Sequence, residues 1–459
     1  MRNLSEKEKK IYLFETMPLP RALASLSIPM VISSLVGVFY NIADTYFVGM
    51  LSDPVQNAAV TLIFPITLAF NAVVNLFGIG SSSMMSRCLG YRDYDRVRTC
   101  SAFGFYGALL SGLLFSLLSL LFRTPLLHLL GADGNTVAVT GQYMFWTVIC
   151  GAVPAILGAV QTQLARSEGA AVHASIGSML GCIVNMILDP IFILYFDMKA
   201  AGAGIATFLS SSLVCVYFLL LTWHKRGNTF VCLNPRQLRH LDRLTVRGIL
   251  AVGIPCSIQN LLNVASTALL TRMTASYGAA AVAAMGISQK IRTIPFQVSQ
   301  GFSQGVMPLI SYNYASGDRS RMKRAIVTTL GVVVPSMTLA AAVCWIHSEG
   351  LIRLFLNKDE ILLYGIAFLH PICVAMPFLS IDSIGMGIYQ ALGYGRFTLA
   401  LAVIRKAVLE IPLLFLLTHF WDYRGLTASR TVAEVVMAAL ALTIITWICR
   451  QKAPEKSTD

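Results

Sequence analysis

Phe39-Tyr40-Asn41-Ile42-Ala43-Asp44-Thr45-Tyr46-Phe47-Val48-Gly49 closes an apolar stretch that begins near Leu23 and carries Pro29 in its first half. Asp44 is the sole acid in that stretch. An ionised aspartate at the centre of a bilayer costs roughly 2.5–3.5 kcal/mol on insertion scales, so it faces protein or water and marks a functional path. Asp44 therefore predicts one half of a proton or sodium switch, and the rest of the chain a transporter around it.

The flanking sequence supplies the membrane context. Of 459 residues, 56% are hydrophobic and 12% are charged, with a mean hydropathy of +0.68; soluble domains carry about 25% charged residues. The apolar runs approach the roughly 20 residues that cross a bilayer as helix. Backbone N–H and C=O groups left facing lipid are too costly for loops or open sheets, so an all-α bundle follows. Twelve helices are predicted, at 23–48, 57–87, 97–122, 138–164, 174–196, 203–223, 246–273, 281–313, 322–346, 363–391, 397–419 and 426–449. An even number puts both termini on one side.

Arg92, Arg96 and Arg98, the run from Lys225 to Arg243, the run from Arg319 to Arg324, and the tail residues Lys7, Lys9, Lys10, Arg450 and Lys452 share that side. Opposite loops such as Leu51-Ser52-Asp53 are short or mixed. The asymmetry makes the basic side cytoplasmic. The net charge of +13 thus reads as membrane topology and contact with anionic lipids, not as nucleic-acid binding. The first helix is too long for a cleavable signal and lacks a small-residue cleavage site. Ten cysteines stand singly, with no CxxC or Cys/His cluster, so neither structural disulfides nor zinc are expected.

The chain also repeats itself. Ile28-Pro29 returns as Ile254-Pro255, and Gly90-Tyr91-Arg92-Asp93 as Gly317-Asp318-Arg319-Ser320, at nearly the same offset. That predicts an amino-terminal six-helix lobe over 1–223, a cytoplasmic linker over 224–245 and a carboxy-terminal six-helix lobe over 246–459, with the substrate path where such halves meet. The linker contains Asn234-Pro235 and a basic run suited to an amphipathic helix on the inner surface.

Helix 5 offers the partner for Asp44. Asn185 and Asp189 are four apart and share a helical face. Pro190 has no N–H, which frees the Met186 carbonyl one turn back. Helix 6 adds Thr207 after Gly202-Ala203-Gly204, whose glycines permit close approach to a neighbour. Two carboxylates, an amide and a hydroxyl form an all-oxygen set suited to a proton or a hard monovalent cation, and close carboxylates exchange protons as a pair. The plainer alternative leaves Asp189 at a helix end and Asn185 bonded to a neighbouring helix.

Taken together, Asn41 to Gly49, Arg166-Ser167-Glu168-Gly169, Asn185-Met186-Ile187-Leu188-Asp189-Pro190-Ile191, Gly90 and Gly317 resemble the signatures of the multidrug and toxic compound extrusion (MATE) family. The similarity covers residues 18–450 and is nearest the MepA-like bacterial branch. The resemblance implies a V-shaped pair of pseudo-symmetric six-helix lobes exporting bulky, often cationic compounds against inward protons or sodium. Asp44, Asn185, Asp189 and Thr207 fall on the family's ion-site positions, and would be metal ligands only if sodium is the coupling ion. Tyr40 falls on a neighbouring cavity position, and Pro29 on the hinge of helix 1.

The carboxy-terminal half departs from another branch's glutamate in helix 7, offering Gln259, Asn260 and Asn263 instead. Asp382 lies near that branch's second acid, while Glu410 and Glu434 are unassigned intramembrane acids. Coupling is therefore placed in the amino-terminal lobe. Asn75, Gln259, Asn263 and Asp382 join Tyr40 as candidate substrate-cavity residues, although Asn75 serves equally as interhelical glue. Lys290 and Arg292 either snorkel or pair with an acid.

The expected protein is a monomeric secondary exporter in the bacterial plasma (inner) membrane, with lipophilic or cationic drugs and lipids as partners. No cofactor is expected beyond the coupling ion, and no GxxxxGK[ST] loop provides direct ATP drive. An integral-membrane enzyme would need a motif such as HExxH or GxSxG, which the sequence lacks. The main alternative is a flippase of lipid-linked precursors, against which stands the lack of a clear intramembrane arginine cluster.

Overall fold

The computed structural model describes residues 5–50, 53–355 and 358–450. Leu51, Ser52 and Lys452, with the rest of 451–459, lie outside the described residues. A short helix, α1 (Glu6–Glu15), opens with a reciprocal cap between Ser5 and Glu8. It leads into α2 (Leu19–Gly49), which runs through Pro29, and α3 (Pro54–Val73), which passes through the π-turns of Val74–Ile79 into α4 (Gly80–Gly90). Then come α5 (Tyr94–Leu121), α6 (Arg123–Leu129) and α7 (Asn135–Met144), which joins α8 (Ala152–Ser167) through Phe145–Cys150 with a 45° bend. Next are α9 (Ala171–Pro190), α10 (Lys199–His224), α11 (Arg243–Ala275), α12 (Ala279–Ser316) and α13 (Arg319–Ile346). The chain continues through α14 (Ser348–Arg353), α15 (Asp359–Leu392), α16 (Gly395–Val403), α17 (Ile411–Trp421) and α18 (Gly425–Arg450). All twelve predicted segments are helical, and the described residues contain no strand.

Local chemistry accounts for the boundaries. Asp93 caps α5 by accepting from the Arg96 N–H at 3.0 Å, and Asp318 caps α13 by accepting from the Arg321 N–H at 2.8 Å. The repeated loops thus perform the same act, an aspartate satisfying an orphan N–H of the helix that follows. The preceding turn is left-handed in both, at Arg92 (φ 61°) and Gly317 (φ 88°). Four π-turn segments interrupt the rods, at Val74–Ile79, Phe145–Cys150, Ile191–Tyr195 and Ile404–Glu410. The third follows Pro190, whose missing N–H breaks the regular ladder. At Asp422, φ is 52° and a short 3₁₀ turn separates α17 from α18.

Contacts divide the described residues into two compact units, and two of the three dividing points fall inside helices. The first unit holds α1 and Ile32–Ser257; the second holds Pro18–Val31 and the chain from Ile258 onward. The cuts come just after Pro29 in α2 and Pro255 in α11. Within the first unit the early turns of α11 lie close to the α3–α4 rod: the Ser257 hydroxyl donates to the Ala72 carbonyl at 2.6 Å, and Gly80 faces the Ile249 carbonyl. Within the second unit Gly301 and Gly305 of α12 receive the backbone of Val31 and Ser27. A side chain at either glycine would occupy that space.

The linker differs from the predicted amphipathic helix. It holds only a 3₁₀ stretch, Pro235–His240, capped by Asn234. Its backbone is claimed by α5 instead: the Ser101 hydroxyl accepts from the Cys232 N–H at 2.8 Å and the Tyr106 hydroxyl donates to the Leu233 carbonyl at 2.8 Å. Glu168, at the end of α8, ties α1 and the linker together. It pairs with Lys10 of α1 at 2.6 Å and accepts from the Thr229 hydroxyl and the Phe230 N–H.

Candidate functional site

In the first unit, α9 and α10 present a sealed polar array. Asn185 and Asp189 are 2% and 0% exposed. With its nitrogen towards the carboxylate, the Asn185 amide donates to Asp189 Oδ2 at 2.8 Å, and its oxygen accepts from the Thr207 N–H at 3.2 Å. That orientation is set by the hydrogen-bond network. The Thr207 hydroxyl donates to the Ala203 carbonyl at 3.0 Å, and the Ser210 hydroxyl to the Thr207 carbonyl at 3.0 Å. The close approach follows from the glycines: Gly202 sits against the Phe192 backbone, and Gly204 against Tyr143 and Trp146.

Asp44 reaches this array from α2. It is half-buried, and it lies within electrostatic range of Asp189, Tyr40 and Tyr143. The four residues singled out on the sequence thus belong to one region of one unit. Tyr143 and Ser210 are additions: both sit in apolar helices, and only the packing of α10 against its neighbours gives them meaning.

The proposed cavity residues are less uniform. Asn75 lies in the first π-turn segment and donates to the Cys256 carbonyl of α11 at 3.5 Å, a long interhelical bond. Gln259 is half-buried and Asn263 exposed on α11. Asp382 is buried, and its carboxylate accepts from Arg405 at 2.5 Å. Arg405 also pairs with Glu434. One turn on, Glu410 accepts from Lys406 Nζ at 2.5 Å, from Arg430 Nε at 2.8 Å and from the Ser266 hydroxyl at 2.6 Å. Arg405, Lys406 and Glu410 all lie in the π-turn segment of the α16–α17 rod, where the wider turn brings charges from adjacent positions to the bundle interior.

This corrects the sequence reading in one respect. Arg292, Arg405, Lys406 and Arg430 form an intramembrane basic cluster in the second unit, and Asp382, Glu410 and Glu434 interleave with it. The Arg405-Lys406 pair in an apolar helix, beside the unassigned Glu410, was the available signal.

The MatE family model matches residues 29–191 and again 255–416. The two matches begin at Pro29 and Pro255. The chain belongs to the MatE family. It is 31% identical over 442 residues to the multidrug export protein MepA of Staphylococcus saprophyticus, covering 96% of both chains. The MepA protein of Staphylococcus aureus is 31% identical over 452 residues, with 97% of each covered. In fold, the chain matches an outward-facing multidrug resistance MATE family transporter with a TM-score of 0.90, at 23% identity, over 96% of this chain and 98% of the other. The Vibrio cholerae MATE transporter VcmN follows at 0.86 and 21% identity, with 97% and 98% covered.

MatE membership fixes the class as a membrane transporter rather than an enzyme. The all-helical, twelve-segment architecture expected from the sequence is that of the family.

Proposed function

We propose that this MatE chain is a secondary multidrug exporter whose coupling ion is exchanged at Asp44, Asp189, Asn185 and Thr207. The observation that carries the reading is the pairing of a sealed Asn185–Asp189 array with a half-buried Asp44 in electrostatic contact. One carboxylate is held by the protein and the other is open to exchange. In the outward-open state the acids take a proton or sodium from outside. Their neutralisation removes the anchor for a cationic substrate, and α2 repacks near Pro29, releasing drug. In the inward-open state the ion leaves and the acids are again available. Sodium here would be cargo, seated on the carboxylate, amide and hydroxyl oxygens.

One charge moving through 100 mV is worth roughly 2.3 kcal/mol, close to a fiftyfold gradient. One proton exchanged for one monovalent cation moves no net charge, so such a cycle runs on the ion gradient alone. Two acids near each other allow a second ion and a share of the potential. Supporting the remaining details are the clustering of basic residues on one set of loops, for cytoplasmic termini in the bacterial plasma membrane, and the duplicated halves, for six-helix lobes working as a monomer among lipids.

The test is ethidium efflux from vesicles with proton and sodium gradients imposed separately, on the wild type, Asp44→Asn and Asp189→Asn. Efflux driven by one gradient and lost in both variants is the expected result and names the ion. Unchanged efflux in Asp44→Asn removes that residue from the cycle.

A further inference from the structure

Two cavities lie where α10 gives way to the linker, both within the first unit, and their charges differ in kind. One is lined by Lys9, Lys10 and Lys225 together with Glu6 and Glu168. Each lysine there has an acid: Lys9 meets Glu6 at 3.0 Å, Lys10 meets Glu168 at 2.6 Å and Lys225 meets Glu6 at 3.7 Å. The other, of about 570 Å³, is lined by Lys7 of α1, Arg98 of α5, Arg226 just past α10 and Arg236 of the linker, and by no acid. Among the described residues Arg226 and Arg236 pair with no acid, and Arg98 pairs only with the exposed Asp95, at 3.7 Å. A surface pair of that kind leaves its cation largely free. Lys7 stands 5.5 Å from the Phe230 ring, which does not neutralise it. Four cations from four chain segments thus repel one another across one recess, and an anion that bridges them removes that cost.

The surroundings select the anion. Val216, Leu219, Leu220 and Trp223 are exposed along one face of α10, at the three- and four-residue spacing of a helix. On a membrane-spanning helix such a stripe faces acyl chains, and an indole at its end marks the headgroup level. Leu219 and Trp223 also line the basic recess, so stripe and recess are continuous. A soluble phosphate uses the recess alone, whereas a phospholipid uses both, its acyl chain on the stripe and its phosphate among guanidinium forks. The volume falls within the roughly 300–1,000 Å³ of ligand sites, more than a single ion needs.

We propose that this recess binds the phosphate headgroup of an anionic phospholipid of the phosphatidylglycerol type, which then bridges α1, α5, the end of α10 and the linker. The site is independent of the ion and drug chemistry proposed above. Phosphatidylcholine is the discriminating comparison, because it brings a cation of its own to a recess with no acid to receive it.

Native mass spectrometry of the purified protein in detergent, titrated with dioleoylphosphatidylglycerol or dioleoylphosphatidylcholine, reads the two dissociation constants. The wild type is expected to prefer phosphatidylglycerol. Arg226→Gln/Arg236→Gln removes two cations from the recess and is expected to weaken phosphatidylglycerol binding about thirtyfold, with a much smaller change for phosphatidylcholine. Lys323→Gln/Arg324→Gln removes the same charge from exposed positions of α13 outside the recess and is expected to alter phosphatidylglycerol binding by less than about twofold. A smaller folded fraction of either variant affects both lipids alike and cancels in their ratio. Equal losses in the two double variants would show diffuse attraction and overturn the site, as would a wild type that does not distinguish the lipids. Displacement of phosphatidylglycerol by equimolar glycerol 1-phosphate would make the occupant a soluble phosphate and overturn the lipid assignment.

Discussion

Replacing Glu410 with glutamine tests whether the second unit is held by charge balance. In the folded protein three donors converge on its carboxylate: Lys406 Nζ at 2.5 Å, Ser266 Oγ at 2.6 Å and Arg430 Nε at 2.8 Å. Breaking a buried ion pair from one side destabilises by roughly 3–5 kcal/mol, because the partner stays behind as an uncompensated charge. Here two partners are stranded. The glutamine oxygen still accepts from one donor, which returns about 1 kcal/mol. The expected loss is therefore about 2–4 kcal/mol. Adding Lys406→Met removes one stranded cation and should recover about 1–2 kcal/mol of it. Denaturant unfolding in mixed micelles, followed by intrinsic fluorescence, reads both differences. The reasoning is refuted if the double variant is no more stable than Glu410→Gln, or if the single variant loses less than about 0.5 kcal/mol.

Three further outcomes follow from other contacts. Gly305→Ala puts a methyl carbon 2.6 Å from Ser27 Cα and 2.9 Å from the Leu26 carbonyl, so the same unfolding assay should show a loss of roughly 1–3 kcal/mol from overpacking. Glu168→Gln removes the Lys10 ion pair; limited trypsin digestion at Lys9 and Lys10 should accelerate about tenfold or more as α1 loosens. Thr207→Val keeps the N–H that serves Asn185 but removes the hydroxyl that would seat sodium, so proton-driven dye efflux should persist within about twofold while sodium-driven efflux falls, whereas Asn185→Leu, which strips Asp189 of its donor, should lose most of either. Equal effects of those two substitutions on proton-driven efflux would show that the hydroxyl, not the backbone, holds the array.

Much of the protein is written locally. Runs of apolar residues near the bilayer's thickness determine the helices, and loop charge predicts their sidedness. Asp93 and Asp318, each three residues before the N–H it accepts from, give the repeated loops the same helix-capping role. Asn185 and Asp189 share a face because 3.6 residues complete a turn, so half of the candidate site was legible from spacing alone. What spacing does not contain is which helix lies across from which. Tyr143 and Ser210 join the site only because two glycines bring α10 against its neighbours. Asp382, a candidate cavity residue on the sequence, is paired with Arg405 of the π-turn segment, a partner that only packing reveals. The cuts between compact units fall within α2 and α11, where each proline interrupts the ladder, and no local signal says which body the preceding turns will join. Hydrophobic length and helical period belong to a residue and its near neighbours; the pairing of charges across helices is settled by packing and is therefore a property of the tertiary structure.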